Sequence, residues 1–455
     1  MKYFSTRNRN INDSFKQILF QGLSKDGGLY IPTYWPKINL DEINNITYEE
    51  LALNIIYPYI QNDISKNEIY EIICKSYKNF NHPKIAPIVQ IDENKYILEL
   101  FYGPTLAFKD YALQLLGNLL THFMASSEKK ITILGATSGD TGSAAINAFK
   151  GKQNINIFIL HPLNKVSEVQ RRQMTTVLND NVFNIAVDGT FDDCQKIVKD
   201  LFNNTEVQNK TSLTAVNSIN WARIMAQVVY YFWAYLQIAQ KKISFIVPSG
   251  NFGNIYAARV AKHMGLPIND LHIATNQNDI LHKIISLGKM QITNVKETYS
   301  PSMDIQVSSN FERQIFESLN FDSNELIKIM QNFNKNKNYL FSEQLKLNFQ
   351  NIYKSSSVSD KKTLQTIKLF KETYNYLADP HTATGLSVMH ETNLNHPTVC
   401  LGCAHPAKFS NAIKNSIGIE PEIPKVLENI FDKEEKMNIL SNKTEDIKNF
   451  ILNNI

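Results

Sequence analysis

Three stretches of the chain place residue types where they could do chemistry. The first is GPTLAFKDYALQLLGNLL (103–120), in which Lys109 opens an amphipathic pattern and is flanked by Ala107, Phe108 and Asp110. A lysine held among apolar groups loses proton affinity, which is what Schiff-base chemistry requires of it. An isolated lysine is otherwise most often a surface residue whose stem lies along apolar neighbours. The second stretch is GATSGDTG, Gly135 to Gly142, between an apolar run and a helix-like segment. Glycines allow close backbone approach, and free amides at a helix start bind anions. Ser138 and Thr141 add hydroxyl donors, although a capped strand-to-helix turn would use the same residues. The third is PSGNFGN, Pro248 to Asn254, where Gly250 and Gly253 frame Asn251 and Phe252. It carries no positive charge, so a phosphate there would rest on amides and the helix dipole.

Neither loop is a nucleotide site of the common kinds. GATSGDTG has no Lys-Ser/Thr pair after its glycines, and G-x-G-x-x-G is absent from both. Two anion-binding loops together with one lysine before a helix suit a pyridoxal phosphate enzyme. In that arrangement Lys109 takes the aldehyde, one loop the cofactor phosphate, and the other a substrate carboxylate.

The elements that must position these groups alternate strand and helix. ITIL (131–134), INIFIL (155–160), NVFNIAV (181–187) and ISFIV (243–247) are each followed by a helical pattern. Continuous apolar strands between helices predict parallel sheet buried on both faces. Residues 322–362 are polar and lysine-rich and predict surface helices and a loop, and the segment 426–455 predicts a charged helical tail. The 455 residues carry 47 Lys and Arg against 43 Asp and Glu, a net charge of +4, which gives no footprint for nucleic acid. The apolar run Val228–Leu236 is far short of the ~20 residues a membrane span needs and predicts a buried helix. The first residues contain no apolar stretch of signal-peptide length. Four cysteines are too few for a disulfide framework, so a reducing, cytoplasmic compartment is expected.

The stretches DGGLYIP, FYGPTLAFKD, GATSGDTGSAA, NSINWAR, VPSGNFGN, SPSMDIQVSSNFER, ADPHTATG and AHPAKF follow one another in this order. With them the chain resembles the threonine synthases of the fold-type II pyridoxal phosphate family. The resemblance implies an α/β fold of two subdomains with mostly parallel twisted sheets flanked by helices. It also implies an N-terminal extension (1–85), a catalytic core (86–425) whose smaller, mobile part spans about 110–215, and the tail. Lys109 matches the cofactor-bearing lysine. Gly250, Asn251, Phe252, Gly253 and Asn254 match the cofactor-phosphate cradle. Thr137, Ser138, Asp140 and Thr141 fall in the substrate-carboxylate loop. The implied reaction converts O-phospho-L-homoserine and water to L-threonine and phosphate. No nucleic acid or membrane partner is implied, and monomer and homodimer both remain open.

Several residues keep two readings. Asn217, Asn220 and Arg223 share one face of a helix start, and Arg223 suits a substrate phosphate or an ion pair. His381 and His405 suit pocket walls or structural contacts. Ser308, Ser309, Asn310 and Arg313 suit a closing loop or a packing segment. The family's hydroxyl residue facing the pyridine nitrogen is replaced by Cys403, a weaker donor. Cys400 and Cys403 form a C-x-x-C, which alone suggests redox or zinc chemistry, but Cys74 and Cys194 are isolated and supply no second pair. The rival functions are a phospholyase giving a ketoacid, a threonine dehydratase, a catalytically silent protein, and a redox or zinc protein.

Overall fold

A computed structural model describes residues 1–125, 130–238 and 242–455. Two sheets carry the fold. The larger has the order Tyr353–Ser357, Ile268–Thr275, Ile243–Pro248, Thr398–Gly402, Lys95–Glu99, Ile88–Asp92. Its first five strands run parallel, and Ile88–Asp92 closes one edge antiparallel. The smaller sheet is wholly parallel, in the order Asn438–Ser441, Val182–Asp188, Ile155–Pro162, Ile131–Ala136, Ser212–Thr214. Every residue of Ile243–Pro248 is buried, as a central strand covered on both faces requires.

The apolar run expected as a buried helix is the core of Trp221–Ile238, which is buried on nearly every side from Trp221 to Phe232. Among the described residues no helix is long and apolar enough to cross a membrane. The N-terminal extension folds as a three-stranded antiparallel sheet and three α-helices, Phe15–Gln21, Tyr48–Ile60 and Lys66–Tyr77, each opened by a capping box. Thr47 pairs with Glu50 and Ser65 with Glu68, so the latter two helix starts satisfy their free amides locally.

Two expectations change. The tail is not purely helical: Asn438–Ser441 adds a parallel strand to the edge of the smaller sheet beside Val182–Asp188. Four residues are too short to show a strand period, and their pairing partner lies far away in the sequence. Likewise, the polar stretch 322–362 contains an edge strand, Tyr353–Ser357, besides its helices. An edge strand with one wet side can be serine-rich, which hides it among loop residues.

Both sheets point the carboxyl ends of their strands at the same space, the usual place for a ligand in parallel α/β structures. Ala136 leads into the first glycine loop, Pro248 into the second, and Gly402 into Cys403.

Candidate active site

Between the sheets lies a cavity of about 1270 Å³. Lys109 is on its wall, 7% exposed, at the first turn of the helix Lys109–Met124. The loop before it is closed by Asp110, whose carboxylate accepts the Thr105 amide at 2.8 Å and the Thr105 hydroxyl at 2.7 Å. Gly103 is required there, because a Cβ would lie 2.5 Å from the Asp110 side chain. Leu106 turns through φ 59°, and the segment then pairs with the strand end opposite: Phe108 N–H donates to Cys403 O at 2.8 Å, and His405 N–H to Leu106 O at 3.0 Å. Two motifs distant in sequence are thereby clasped, and Lys109 is set beside Cys403.

The Lys109 ammonium donates to Ser302 Oγ at 2.9 Å and lies 3.6 Å from Asp140 Oδ2. Burial pushes its proton affinity below the ordinary lysine value; Asp140 opposes this, and the charges of Lys408 and Arg223 add to it. Asp140 was expected to touch substrate. It lies on the cavity wall and is also a buried counter-ion, its Oδ1 2.8 Å from Lys408 Nζ and accepting Gln170 Nε2 at 2.8 Å. Despite burial its carboxyl is held well below the usual range, with Lys408, Lys109 and His381 opposing the desolvation.

The rest of the first loop is shaped by Thr137. Thr137 Oγ1 accepts the amides of Gly139 at 3.0 Å and Gly142 at 2.8 Å, so its oxygen holds the loop's shape. Ser138 and Thr141 lie on the cavity wall at the start of the helix Asp140–Phe149. Gly139 sits at φ 137° with Gln170 where a Cβ would be, so no other residue fits.

In the second loop Gly250, Asn251, Gly253 and Asn254 line the cavity. Phe252 does not: it takes φ 63° and buries its ring against Phe311 and Tyr353. That anchor fixes the turn into the helix Gly253–His263. Among the described residues, no protein acceptor takes the amides of Gly250, Asn251 or Phe252. Their carbonyl side is occupied, since Ser308 Oγ donates to Gly250 O at 2.7 Å and Asn310 N–H to Asn251 O at 3.2 Å. Asn254 is 5% exposed, and its Nδ2 is buried without a partner.

Arg223 is buried on the wall, 3% exposed, and donates from one Nη to Val216 O at 3.0 Å. Its Nε has no partner, and among the described residues no carboxylate pairs with it. Desolvation lowers its proton affinity to about 10. The ion-pair reading of this residue therefore gives way to an unpaired buried cation.

Asn220 corrects an expectation. Its amide donates to Leu19 O at 3.0 Å and its oxygen accepts the Ala222 amide at 3.0 Å, so the side chain is spent on the N-terminal extension and the helix start, away from the cavity wall. Arg313 is structural too, donating to Tyr30 O at 3.0 Å and Ile219 O at 2.7 Å. His405 Nδ1 accepts the Ala407 amide at 3.2 Å and lines a separate cleft. His381 does reach the cavity: its Nε2 accepts the Ser302 amide at 3.1 Å, which places the proton on Nδ1, 3.0 Å from Asp379 Oδ1. Cys403 is on the wall, 5% exposed, with its amide donating to Thr382 Oγ1 at 2.8 Å. Burial and the Asp379 charge push its thiol up. Cys400 is off the wall, packed under Gly385, and all four cysteines are free. Among the described residues no cluster of His, Cys, Asp and Glu could hold a metal.

Ser302, Asp379, Gln170 and Lys408 are site residues that motif reading passed over. Lys408 had one signal: a lysine directly between apolar Ala407 and Phe409 is unusual for a surface position.

A family model for the N terminus of threonine synthase matches residues 2–77, one for pyridoxal-phosphate dependent enzymes matches 83–342, and one for the threonine synthase C-terminal part matches 382–451. The threonine synthase of Pseudomonas aeruginosa is 44% identical over 459 residues, spanning 99% of this chain and 98% of that one. The chain belongs to the threonine synthase family. A crystal structure of threonine synthase from Brucella melitensis with pyridoxal phosphate bound superposes with a TM-score of 0.96 at 42% identity, covering 100% of this chain and 99% of that one. The yeast enzyme follows with a TM-score of 0.94 at 37% identity, covering 100% and 98%. The family's fold-type II architecture and its pyridoxal phosphate cofactor are thus those of this chain. The residues present fit the cofactor: an amine with lowered proton affinity, a loop of free amides, and an orphaned buried amide at Asn254 are what an aldehyde and a phosphate would complete.

Proposed function

We propose that the chain is a pyridoxal phosphate-dependent threonine synthase converting O-phospho-L-homoserine and water to L-threonine and inorganic phosphate. The observation that carries this reading is Arg223, a buried guanidinium with an unused donor and no carboxylate partner, on the same wall as Lys109. A buried cation left unpaired is costly, and an anionic substrate group offsets that cost on binding.

Lys109 would carry the cofactor and the loop Gly250–Asn254 would hold its phosphate, with Asn254 donating from Nδ2. Cys403 would stand at the ring nitrogen as a weak, uncharged partner. When bound, pyridoxal phosphate supplies a conjugated system that spreads negative charge developing at the substrate's Cα. Lys109 would take the Cα and then the Cβ proton, and its lowered proton affinity would keep it available as a base. Ser302, fixed by His381, orients that amine. The amides and hydroxyls of Ser138 and Thr141 would hold the carboxylate at a helix N-terminus. Arg223 would hold the phosphate as the Cγ–O bond breaks; the two protons taken by Lys109 would return to Cγ and finally to Cα, with water adding at Cβ between those steps.

The four free cysteines support a reducing, cytoplasmic setting. The test is to supply the purified holoenzyme with O-phospho-L-homoserine and identify the amino acid formed. Threonine with equimolar phosphate supports the reading; a ketoacid and ammonia in its place would assign a phospholyase.

A further inference from the structure

Lys408 is fully buried at 0% exposure, in the short turn Pro406–Phe409 that follows the strand Thr398–Gly402 of the larger sheet. Its ammonium donates to Thr105 O at 2.7 Å and lies 2.8 Å from Asp140 Oδ1. The other oxygen of Asp140 faces Lys109 at 3.6 Å and accepts Ser302 Oγ at 3.4 Å. One carboxylate therefore serves two buried ammonium groups. The shorter contact goes to Lys408, which has no role in binding or chemistry in the mechanism above.

A lone buried lysine facing Asp140 would form a tight ion pair and stay protonated, and a protonated amine neither attacks an aldehyde nor removes a proton. We propose that Lys408 is a positioning residue that claims the shared carboxylate of Asp140 and so keeps Lys109 available as a neutral amine. Its second bond, to Thr105 O, also ties the loop that presents Lys109 to the loop that carries Asp140. The charged and titratable groups around Lys109 are Asp140, Lys408, Arg223 and Cys403, with His381 reached through Ser302. Of these only Asp140 and a thiolate form of Cys403 would favour the ammonium, and burial holds that thiol protonated. Lys408 and Arg223 both disfavour the ammonium, and Lys408 alone also binds the opposing carboxylate.

This inference rests on the assignment of Lys109 as the cofactor lysine, and its test does not depend on the product made. The cofactor-free protein is mixed with pyridoxal phosphate across a pH series. The bond formed by attack of the amine on the aldehyde, with loss of water, is trapped with borohydride. Capture at Lys109 is measured from its peptide by mass spectrometry. Wild type should reach half-maximal rate well below the pH of an ordinary lysine. Lys408→Gln keeps donors toward Asp140 and Thr105 but removes the charge, and its midpoint should rise by about one pH unit or more. Lys408→Arg keeps the charge and should restore the wild-type midpoint. If Lys408→Gln does not fold, Lys408→Met is compared with its parent in an Asp140→Asn background, where no carboxylate is orphaned; with none left to claim, only direct charge repulsion is lost, and a smaller rise is expected. A midpoint unmoved by loss of the Lys408 charge would overturn the proposal. Absence of any capture at Lys109 in wild type would instead overturn the lysine assignment.

Discussion

The Tyr231 hydroxyl donates to Asn254 Oδ1 at 2.7 Å. The Tyr230 hydroxyl reaches the same oxygen at 2.5 Å, so two donors select which end of the amide faces the tyrosines and leave Nδ2 free. Asn254→Asp keeps the shape and both tyrosine contacts but exchanges the free donor for negative charge. Cofactor affinity should fall by at least about tenfold, since a hydrogen bond to a charged group is worth ~1.5–3 kcal/mol. Equilibrium titration of the cofactor-free protein measures it; an unchanged dissociation constant would remove Asn254 from the cradle.

Lys109→Ala should give a folded protein that retains pyridoxal phosphate only through non-covalent contacts. No borohydride-stable bond and no threonine formation are expected, while the far-ultraviolet circular dichroism stays that of wild type. A stable bond to another lysine with normal turnover would reassign the catalytic residue.

Arg223 combines a functional donor with a stability cost. Its proton affinity is lowered from the usual value to about 10 by burial, so at neutral pH the folded state carries a charge it disfavours relative to the unfolded chain. Arg223→Met should therefore raise the melting temperature of the cofactor-free protein. The same change should raise KM for O-phospho-L-homoserine by at least about tenfold. A lowered melting temperature with KM unchanged would make Arg223 a purely structural residue.

The two cysteines separate by position. Cys403 is on the cavity wall, whereas Cys400 is packed so closely under Gly385 that a Cβ there would lie 2.6 Å from its sulfur. Cys403→Thr should keep activity and hold or raise cofactor affinity, because a hydroxyl is the better partner. Cys403→Asp should divert flux toward side reactions by favouring a protonated ring nitrogen. Cys400→Ser should lower stability and leave the product unchanged. Equal loss of activity in Cys400→Ser and Cys403→Thr, with cofactor binding intact, would point to a joint role of the two thiols.

What could be read from the sequence follows from which forces act locally. ISFIV and INIFIL announced buried parallel strands because a strand covered on both faces is apolar throughout. Lys109 and the two glycine loops were legible because turn and helix-start chemistry is written in neighbouring residues. Asp140 was read as a substrate contact, and its ion pair with Lys408 was not legible because the two residues lie far apart in the sequence. Asn220 shows the reverse error: a polar residue beside Arg223 in sequence, turned by the helix start toward Leu19 instead. The strand Asn438–Ser441 was hidden because its edge position is defined by Val182–Asp188 and not by its own four residues.

The central claim is elimination of phosphate by carbon–oxygen cleavage followed by addition of water to carbon, and one labelling measurement addresses both halves. The holoenzyme is run on O-phospho-L-homoserine in heavy-oxygen water, and both products are analysed by mass spectrometry. Threonine should carry one solvent oxygen in its hydroxyl and inorganic phosphate none. Labelled phosphate with unlabelled homoserine, the mark of simple phosphate-ester hydrolysis, or a ketoacid without threonine, would contradict it.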